Sequence, residues 1–188
     1  MMKENHELIY DLAKPFLNTR KNDIHIEISL DYALKLLEKE GGDADIVIPA
    51  VLLHDLGWWQ VPENLQLKAF GPQFDRELRR IHEVEGVKMA REILVKANYE
   101  ISAMEEILTI IDGHDSRLEA VSQNDRIVKD SDKLFRFSTR GFEIDYRRFG
   151  IERNKYRIWL SKSVDEWFFT PTAKMLAREA LTVLEQSF

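Results

Sequence analysis

The segment AVLLHDLGWW, residues 50–59, places a histidine and an aspartate directly after four apolar residues. An ionised carboxylate is costly to bury unless it gains a partner. The fold must therefore expose Asp55, pair it with a cationic side chain, or bind it to a metal ion. The residues that the fold brings near Asp55 decide between these three outcomes.

Composition limits both the size of the fold and the kind of metal site. The chain has 188 residues, 44% of them hydrophobic, and no cysteine. This length and apolar content suit one domain with a buried core. Without cysteine, disulfides and thiolate metal sites are excluded, so imidazole and carboxylate groups would have to hold any metal ion.

Charge and hydropathy indicate where the protein acts. The net charge of -6 argues against broad nucleic-acid binding. The N-terminal segment lacks the apolar core of a signal peptide, and no apolar run approaches the roughly 18 residues that a membrane span needs. We expect a cytoplasmic protein that does not cross a membrane.

Apolar residues recur at helical spacing along most of the chain. Leu30, Leu34 and Leu37 belong to one such stripe, which ends at the glycines of positions 41–42. The run IVIPAVLL could be a buried strand by composition alone. Pro49 argues against this, because it would interrupt a sheet ladder, and it fits the first turn of a helix.

Capping signals mark further helices. Ser102 and Glu105 have the spacing of a capping box, with Gly113 as the expected C-terminal cap, and Thr170 with Pro171 marks the start of the last helix. The same periodicity predicts three more helices, over about 73–97, over about 124–148, and over a segment that contains Trp159 and Trp167. The pattern predicts an all-α protein.

Four of the five histidines lie at or near apolar faces or ends of these helices: His25, His54, His82 and His114. A single histidine on an apolar helix face is more often a core residue than a ligand, and this is the simpler interpretation of His82 taken alone. The four together favour one shared cavity, because a helical bundle can direct side chains from several helices into its centre.

Helical geometry distinguishes the two aspartates of RIVKDSDKLFR, residues 126–136. Asp132 shares a face with apolar residues and is expected to point into the core. Asp130 lies about 200° around the helix and is expected to face solvent. A buried Asp132 needs a cation, which a metal ion could supply, or Lys129 or Arg136 one turn away in an ion pair.

The order of these residues resembles the HD superfamily of metal-dependent phosphohydrolases over about residues 23–136. His25 precedes the VLLHDLG run with His54 and Asp55, and Asp132 follows within IVKDSDKL. The apolar lead-in, the glycine after the doublet, the upstream histidine and the downstream aspartate together make the match specific. The resemblance implies an all-helical fold in which these four residues bind one metal ion.

Subfamilies with two metal ions add two histidines, and His82 and His114 occupy the corresponding places. A second His-Asp doublet begins at His114, in the polar context DGHDSR, and alone would not indicate the family. In the two-ion arrangement the carboxylate matching Asp55 bridges the ions, which makes Asp55 the expected catalytic residue. The resemblance also implies a single compact bundle over residues 1–188, with helices of residues 151–188 packing on the core.

The implied cofactor is one divalent ion or two, and the ligand set does not distinguish Mn, Fe, Co, Mg, Zn and Ni. Such ligands leave open positions on an octahedral ion, and water bound there loses a proton far more easily than bulk water. Lys129 and Arg136, on the face of Asp132, are candidate phosphate contacts. An ion pair with Asp132 or plain solvent exposure is the alternative for both.

Position 58 departs from the family pattern. Many members have lysine or arginine after the doublet and glycine, whereas this chain has Trp58. Trp58, Trp59, Phe70 and Phe74 could stack on a nucleobase beside the metal, or they could cover the open end of the bundle. Trp58 is therefore a candidate substrate contact.

The leading hypothesis is a metal-dependent phosphohydrolase that acts on a small phosphorylated substrate, with nucleotides among the candidates. The Gly-Tyr-Pro signature of the cyclic dinucleotide phosphodiesterases is absent. One alternative is a di-iron oxygenase with the same ligands, and another is a non-catalytic ligand-binding module. No general acid or base can be named, since Glu83 and Glu85 beside His82 suit a solvated helix face. The sequence does not decide whether the protein forms a homodimer.

Overall fold

The helices of a computed structural model account for most of residues 3–66, 68 and 75–186, which are the residues that the structure describes. Across these residues the chain forms ten α-helices and no strand, which confirms the all-α prediction. The helices are α1 (Glu4–Ala13), α2 (Asn22–Glu40), α3 (Ala44–Leu53), α4 (Glu63–Gln66), α5 (Arg76–Lys96), α6 (Ile101–Ile111), α7 (Gln123–Leu134), α8 (Thr139–Arg148), α9 (Arg153–Trp167) and α10 (Pro171–Gln186). Short 3₁₀ helices span Lys14–Phe16, Leu56–Gln60 and Phe135–Phe137.

Helix α2 begins after a left-handed turn. Arg20 and Lys21 adopt left-handed backbone angles, with φ of 53° and 59°, and the helix starts directly after them. His25 therefore lies in the first turn of α2. The other end is as predicted, because Gly41 takes a φ of 73° that favours glycine and closes the helix.

Helix α3 contains Pro49 in its interior and not in its first turn, because the helix already begins at Ala44. Proline has no backbone N–H, so the carbonyl of Asp45 loses its usual partner four residues later. The hydroxyl of Tyr99 donates a hydrogen bond of 2.5 Å to this carbonyl. A side chain from the segment before α6 thus satisfies the carbonyl that Pro49 leaves open.

Two predicted boundaries are wrong. Helix α6 is capped by Glu100, whose carboxylate accepts from the backbone N–H of Ala103, and not by Ser102. The predicted helix over 124–148 is divided into α7 and α8. Ser138 caps the new helix by accepting from the N–H of Gly141 at 3.0 Å. The period continues through this break, so periodicity alone does not locate it.

The helices that carry the predicted ligands pack directly on one another. Helix α2 packs against α3 and α7, α3 also packs against α1 and α6, and α5 packs against α6 and the 3₁₀ helix Leu56–Gln60. Helix α10 contacts α2, α7 and α9. Within the described part of the chain, no helix is both long and apolar enough to cross a lipid bilayer.

The prediction that Asp130 faces solvent is wrong. Asp130 is fully buried, and its carboxylate accepts from the backbone N–H groups of Phe169 and Thr170 at 2.9 and 2.8 Å and from the Thr170 hydroxyl at 2.7 Å. The start of α10 therefore covers the polar face of α7. Burial raises the pKa of Asp130 even though these hydrogen bonds favour its charged form.

Candidate metal centre

The six predicted ligands come from five segments and lie together. They are His25 in the first turn of α2, His54 and Asp55 directly after α3, His82 in the middle of α5, His114 just past α6, and Asp132 near the end of α7. Their candidate ligand atoms form two groups, His25 with His54 and Asp55, and Asp55 with His82 and His114. Within each group these atoms lie within 4.8 Å of one another, and Asp55 belongs to both.

The first group includes Asp132 as a close neighbour. His25 Nε2 lies 3.1 Å from His54 Nε2 and 3.1 Å from Asp132 Oδ1. His25 Nε2 also lies 3.6 Å from Asp55 Oδ2, and His54 Nε2 lies 3.7 Å from Asp132 Oδ1. Two imidazoles and two carboxylates thus converge, as the resemblance implies for one metal ion.

The second group is built around Asp55 Oδ1, which also lies 3.8 Å from His54 Nε2 of the first group. His82 Nε2 and His114 Nε2 are 3.2 Å apart, and they lie 3.8 and 3.6 Å from Asp55 Oδ1. Asp115 Oδ2 lies 3.7 Å from His82 Nε2 and adds a carboxylate that was not predicted. The signal for Asp115 was the second His-Asp doublet, which was set aside because its surroundings are polar.

Hydrogen bonds to the backbone orient the two histidines that follow helix ends. His54 Nδ1 is 2.8 Å from the carbonyl of Val51, and His114 Nδ1 is 2.9 Å from the carbonyl of Ile111, three residues earlier in both cases. A carbonyl only accepts, so each Nδ1 carries a proton and each Nε2 faces the cluster, where it can offer a lone pair to a metal ion once that nitrogen is deprotonated. Lone pairs converging with buried carboxylates fit a divalent cation.

Without metal, protons partly take the place of the cation. Burial opposes charge on His114, but Asp55, 3.6 Å from its Nε2, and the other nearby carboxylates outweigh burial and raise the pKa of His114 to about 9. Burial and the neighbouring His114 lower the pKa of His82 to about 4. Burial also opposes charge on Asp55 and Asp132, yet the histidines hold the pKa of both carboxyls well below the usual range.

The comparisons with known proteins agree with this geometry. The HD domain family model matches residues 22–136, more than half of the chain, and the match contains all six predicted ligands. The chain belongs to the HD domain family. No curated protein and no solved structure matched this HD-domain chain.

The glycine of the HD doublet segment permits a close approach of two backbones. A Cβ atom on Gly57 would lie 1.8 Å from the carbonyl oxygen of His82 and 2.6 Å from the backbone nitrogen of Gly86. These distances leave no room for a side chain. Gly57 therefore allows the turn that carries Asp55 to rest directly on the part of α5 that carries His82.

Trp58, the candidate substrate contact, has a structural place in the HD site. Its side chain is fully buried, and its indole N–H donates to Asp55 Oδ1 at 2.9 Å. The ring stacks on His82 with centroids 3.9 Å apart, and the guanidinium of Arg20 lies 4.4 Å from its centroid. Trp59 is 48% exposed and meets Phe16 edge-on. The remaining two aromatic candidates, Phe70 and Phe74, lie outside the described residues.

Lys129, a candidate phosphate contact, binds the loop around His114. It is almost fully buried, and its ammonium group donates to the carbonyls of Gly113, His114 and Arg117 at 2.6, 2.9 and 2.9 Å. An ammonium group has three donors, and all three go to carbonyls rather than to Asp132. Burial lowers the pKa of Lys129 to about 8.

Glu83 holds the same loop from the other side, a role that sequence reasoning missed. Its carboxylate is fully buried and accepts from the backbone N–H groups of Asp115 and Ser116 at 3.0 and 2.8 Å, from the Ser116 hydroxyl at 2.7 Å and from Arg80 at 3.0 Å. Burial opposes ionisation, but the charge of nearby His114 and these hydrogen bonds lower the pKa of Glu83 to about 2.

Arg136 borders a cavity beside the ligands. Its guanidinium donates to Asp145 at 2.7 Å, so the structure pairs Arg136 with this residue of α8. The cavity has a volume of about 20 Å³ and is also lined by Arg20, Arg148 and several of the predicted ligands. Arg20 and Arg148 were not predicted, since Arg20 lies in an irregular segment and Arg148 ends an amphipathic helix.

Proposed function

We propose that this HD domain is a metal-dependent phosphohydrolase that cleaves a phosphate ester or anhydride of a small phosphorylated compound, with a nucleotide as one candidate. The observation that carries the proposal is the sharing of Asp55 between two groups of candidate ligands. A carboxylate in this position can bridge two ions that act on one phosphoryl group.

A bound ion would activate water and substrate, and the protein orients the residues that would hold the ion. A divalent ion bound here would lower the pKa of a water molecule and polarise a phosphoryl oxygen. His54 and His114, each fixed by a backbone carbonyl, keep their lone pairs turned to the centre. Trp58 fixes one oxygen of Asp55. The protein thus orders its ligands before substrate arrives, which avoids reorganisation during the reaction.

The cavity supports a phosphorylated substrate over an uncharged one. It is lined by His25, Asp55 and Asp132 and by the side chains of three arginines. A phosphoryl group placed there would contact both the ions and the guanidinium groups. An oxygenase acting on an uncharged carbon substrate has no comparable need for arginine beside its metal.

The test is an assay of protein purified without a histidine tag, with its metal content measured first. Manganese, cobalt or iron would be added with p-nitrophenyl phosphate, bis(p-nitrophenyl) phosphate and a panel of nucleotides. We expect phosphate release that falls at least 100-fold in His54→Ala and Asp55→Ala, and that is unchanged in Asp31→Ala, a substitution at an exposed position of α2.

Release that persists in His54→Ala and Asp55→Ala would refute the proposal. Two irons per chain with oxygen uptake and no phosphate release would assign the di-iron oxygenase instead. A metal-bound protein that neither consumes oxygen nor releases phosphate would leave the non-catalytic module as the remaining interpretation.

A further inference from the structure

Three arginines from separate segments border the cavity next to the metal ligands. Arg20 precedes α2, Arg136 lies in the 3₁₀ helix after α7, and Arg148 ends α8. Arg136 and Arg148 contact different oxygens of Asp145, at 2.7 and 3.1 Å. The hydroxyl of Tyr156 also donates to Asp145, at 3.3 Å. One buried carboxylate thus holds two of the three guanidinium groups in place.

Arg20 is tied to the same structure by its backbone and its side chain. Arg148 donates to the carbonyl of Arg20 at 2.5 Å, and the Arg20 guanidinium lies 4.4 Å from the centroid of the Trp58 ring. Its left-handed backbone, with φ of 53°, is costly for a residue other than glycine and is held by these surroundings. Guanidinium groups fixed in this way lose little side-chain entropy when they bind a ligand.

We propose that Arg20, Arg136 and Arg148 bind the dianionic phosphoryl group of a phosphate monoester next to the metal ligands. This inference rests on the proposed function and narrows its substrate class. A guanidinium presents five N–H donors in a planar fork that matches the oxygens of phosphate. The ion pairs with Asp145 fix the direction of two of the three guanidinium groups.

Charge favours a dianion. Four carboxylates line the cavity, Asp55, Asp115, Asp132 and Asp145, together with the three arginines. With two divalent ions bound by the ligands, seven positive charges would face four negative ones. A monoester dianion offsets more of this excess than a diester, which carries a single negative charge.

Space favours a monoester for a second reason. The cavity of about 20 Å³ has room for little more than one water-sized group, so oxygens of a phosphoryl group can reach into it and an organic substituent cannot. A monoester offers three terminal oxygens, whereas a diester offers two.

The closing experiment measures binding and not turnover. Manganese-loaded protein, with its metal content verified, is titrated calorimetrically with inorganic phosphate and with dimethyl phosphate as a diester probe. We expect phosphate to bind at least 10-fold more tightly than dimethyl phosphate. We expect Arg20→Met and Arg148→Met each to weaken phosphate binding at least 10-fold, with manganese content unchanged.

Arg147→Met is the matched control, because Arg147 neighbours Arg148 in sequence but is 70% exposed and pairs with Glu143 at the surface. It should leave phosphate affinity unchanged. Arg148 also holds Asp145, so if Arg148→Met does not fold, Arg20→Met with its melting temperature measured carries the test alone.

Equal phosphate affinity in wild type and Arg20→Met, or equal affinity for the two probes, would overturn the proposal. Both results could occur in an active hydrolase, in which case the proposed function would stand and the arginine site would fail. If the protein were inactive but bound phosphate through Arg20, the arginine site would stand and the proposed function would fail. Absence of phosphate binding to the wild-type protein would overturn the arginine site directly.

Discussion

The indole N–H of Trp58 donates a hydrogen bond of 2.9 Å to Asp55 Oδ1, the oxygen that faces His82 and His114. Partners that orient metal ligands typically contribute about 10- to 100-fold to metal affinity. We expect Trp58→Phe to keep the stacking on His82, lose this hydrogen bond and bind manganese about 10-fold more weakly. Calorimetric titration measures the change. Trp59→Phe, at a half-exposed ring, is the control and should bind as wild type does.

The contact of Gly57 with α5 predicts opposite effects for two glycine substitutions. A Cβ on Gly57 would meet the His82 carbonyl at 1.8 Å, so Gly57→Ala must separate the turn from α5. We expect a loss of about 3 kcal/mol or more in the free energy of unfolding, at the upper end of overpacking effects. A Cβ on Gly86 meets its nearest neighbour at 3.4 Å, an ordinary contact, and alanine favours a helix interior.

Urea unfolding compares the two variants. Gly86→Ala should be as stable as wild type or up to about 1 kcal/mol more stable. A folded Gly57→Ala protein with wild-type stability would show that the two backbones do not pack as closely as described.

Substitutions of Asp130 and Asp132 should have different effects. The first should lower the stability of the protein, and the second should weaken metal binding. Asp130→Asn keeps one acceptor but weakens the hydrogen bonds to Phe169 and Thr170. We expect a loss of about 1 to 3 kcal/mol in the free energy of unfolding and unchanged manganese affinity in the folded protein. Asp132→Asn should weaken manganese binding at least 10-fold. Lower manganese affinity in folded Asp130→Asn would contradict the separation.

Local sequence patterns could predict that the candidate ligands face one cavity, and the resemblance to the HD superfamily implied their role as a ligand set. His54 and His114 each follow a helix whose end is visible in the apolar period, and Asp132 shares an apolar helix face. The all-α class follows from the same periodicity. Such patterns report which face of a helix is buried, and metal ligands of a bundle lie on buried faces.

Polar residues buried by other segments could not be predicted. Asp130 lies on the polar face of α7 and is buried only because the start of α10 covers it. Glu83 and Lys129 bind backbone groups of the loop around His114, and a loop backbone leaves no periodic signal. Arg20 owes its place to a left-handed turn that its sequence does not mark. In each case the partner is distant in sequence.

Glu83 predicts a stability that depends on pH. Its pKa is 4.5 ordinarily and about 2 in the folded protein, so the folded state favours the carboxylate. This stabilisation is fully present above about pH 4.5 and is lost as the pH falls to about 2, and it corresponds to about 3 kcal/mol. Glu83→Gln should therefore be less stable than wild type at pH 7, and the difference should shrink between pH 4.5 and 2.

Chemical denaturation of metal-free protein at several pH values measures this difference. Glu85→Gln is the control, because Glu85 contacts only the exposed Lys88 among the ion pairs described, and it should change stability by less than about 0.5 kcal/mol. A Glu83→Gln deficit that is the same at pH 7 and pH 3 would contradict the ionised role of Glu83.

Metal binding should release a proton from His114. A histidine must be neutral to bind a metal ion. The pKa of His114 is about 9 in the metal-free protein, so the ring is protonated at pH 7.5 and manganese must displace that proton. His82, with a pKa of about 4, is already neutral and releases none. Manganese affinity should therefore increase with pH up to about 9.

Calorimetric titration at pH 7.5 in buffers of different ionisation enthalpy counts the protons released. We expect His114→Gln to release about one proton fewer than wild type, and His82→Gln to release as many as wild type if manganese still binds. Manganese affinity that does not change between pH 6 and 9 would mean that no protonated histidine has to be displaced. Because Asp55 lies 3.6 Å from His114 Nε2 and favours the proton there, the proton and the metal ion compete for the same nitrogen.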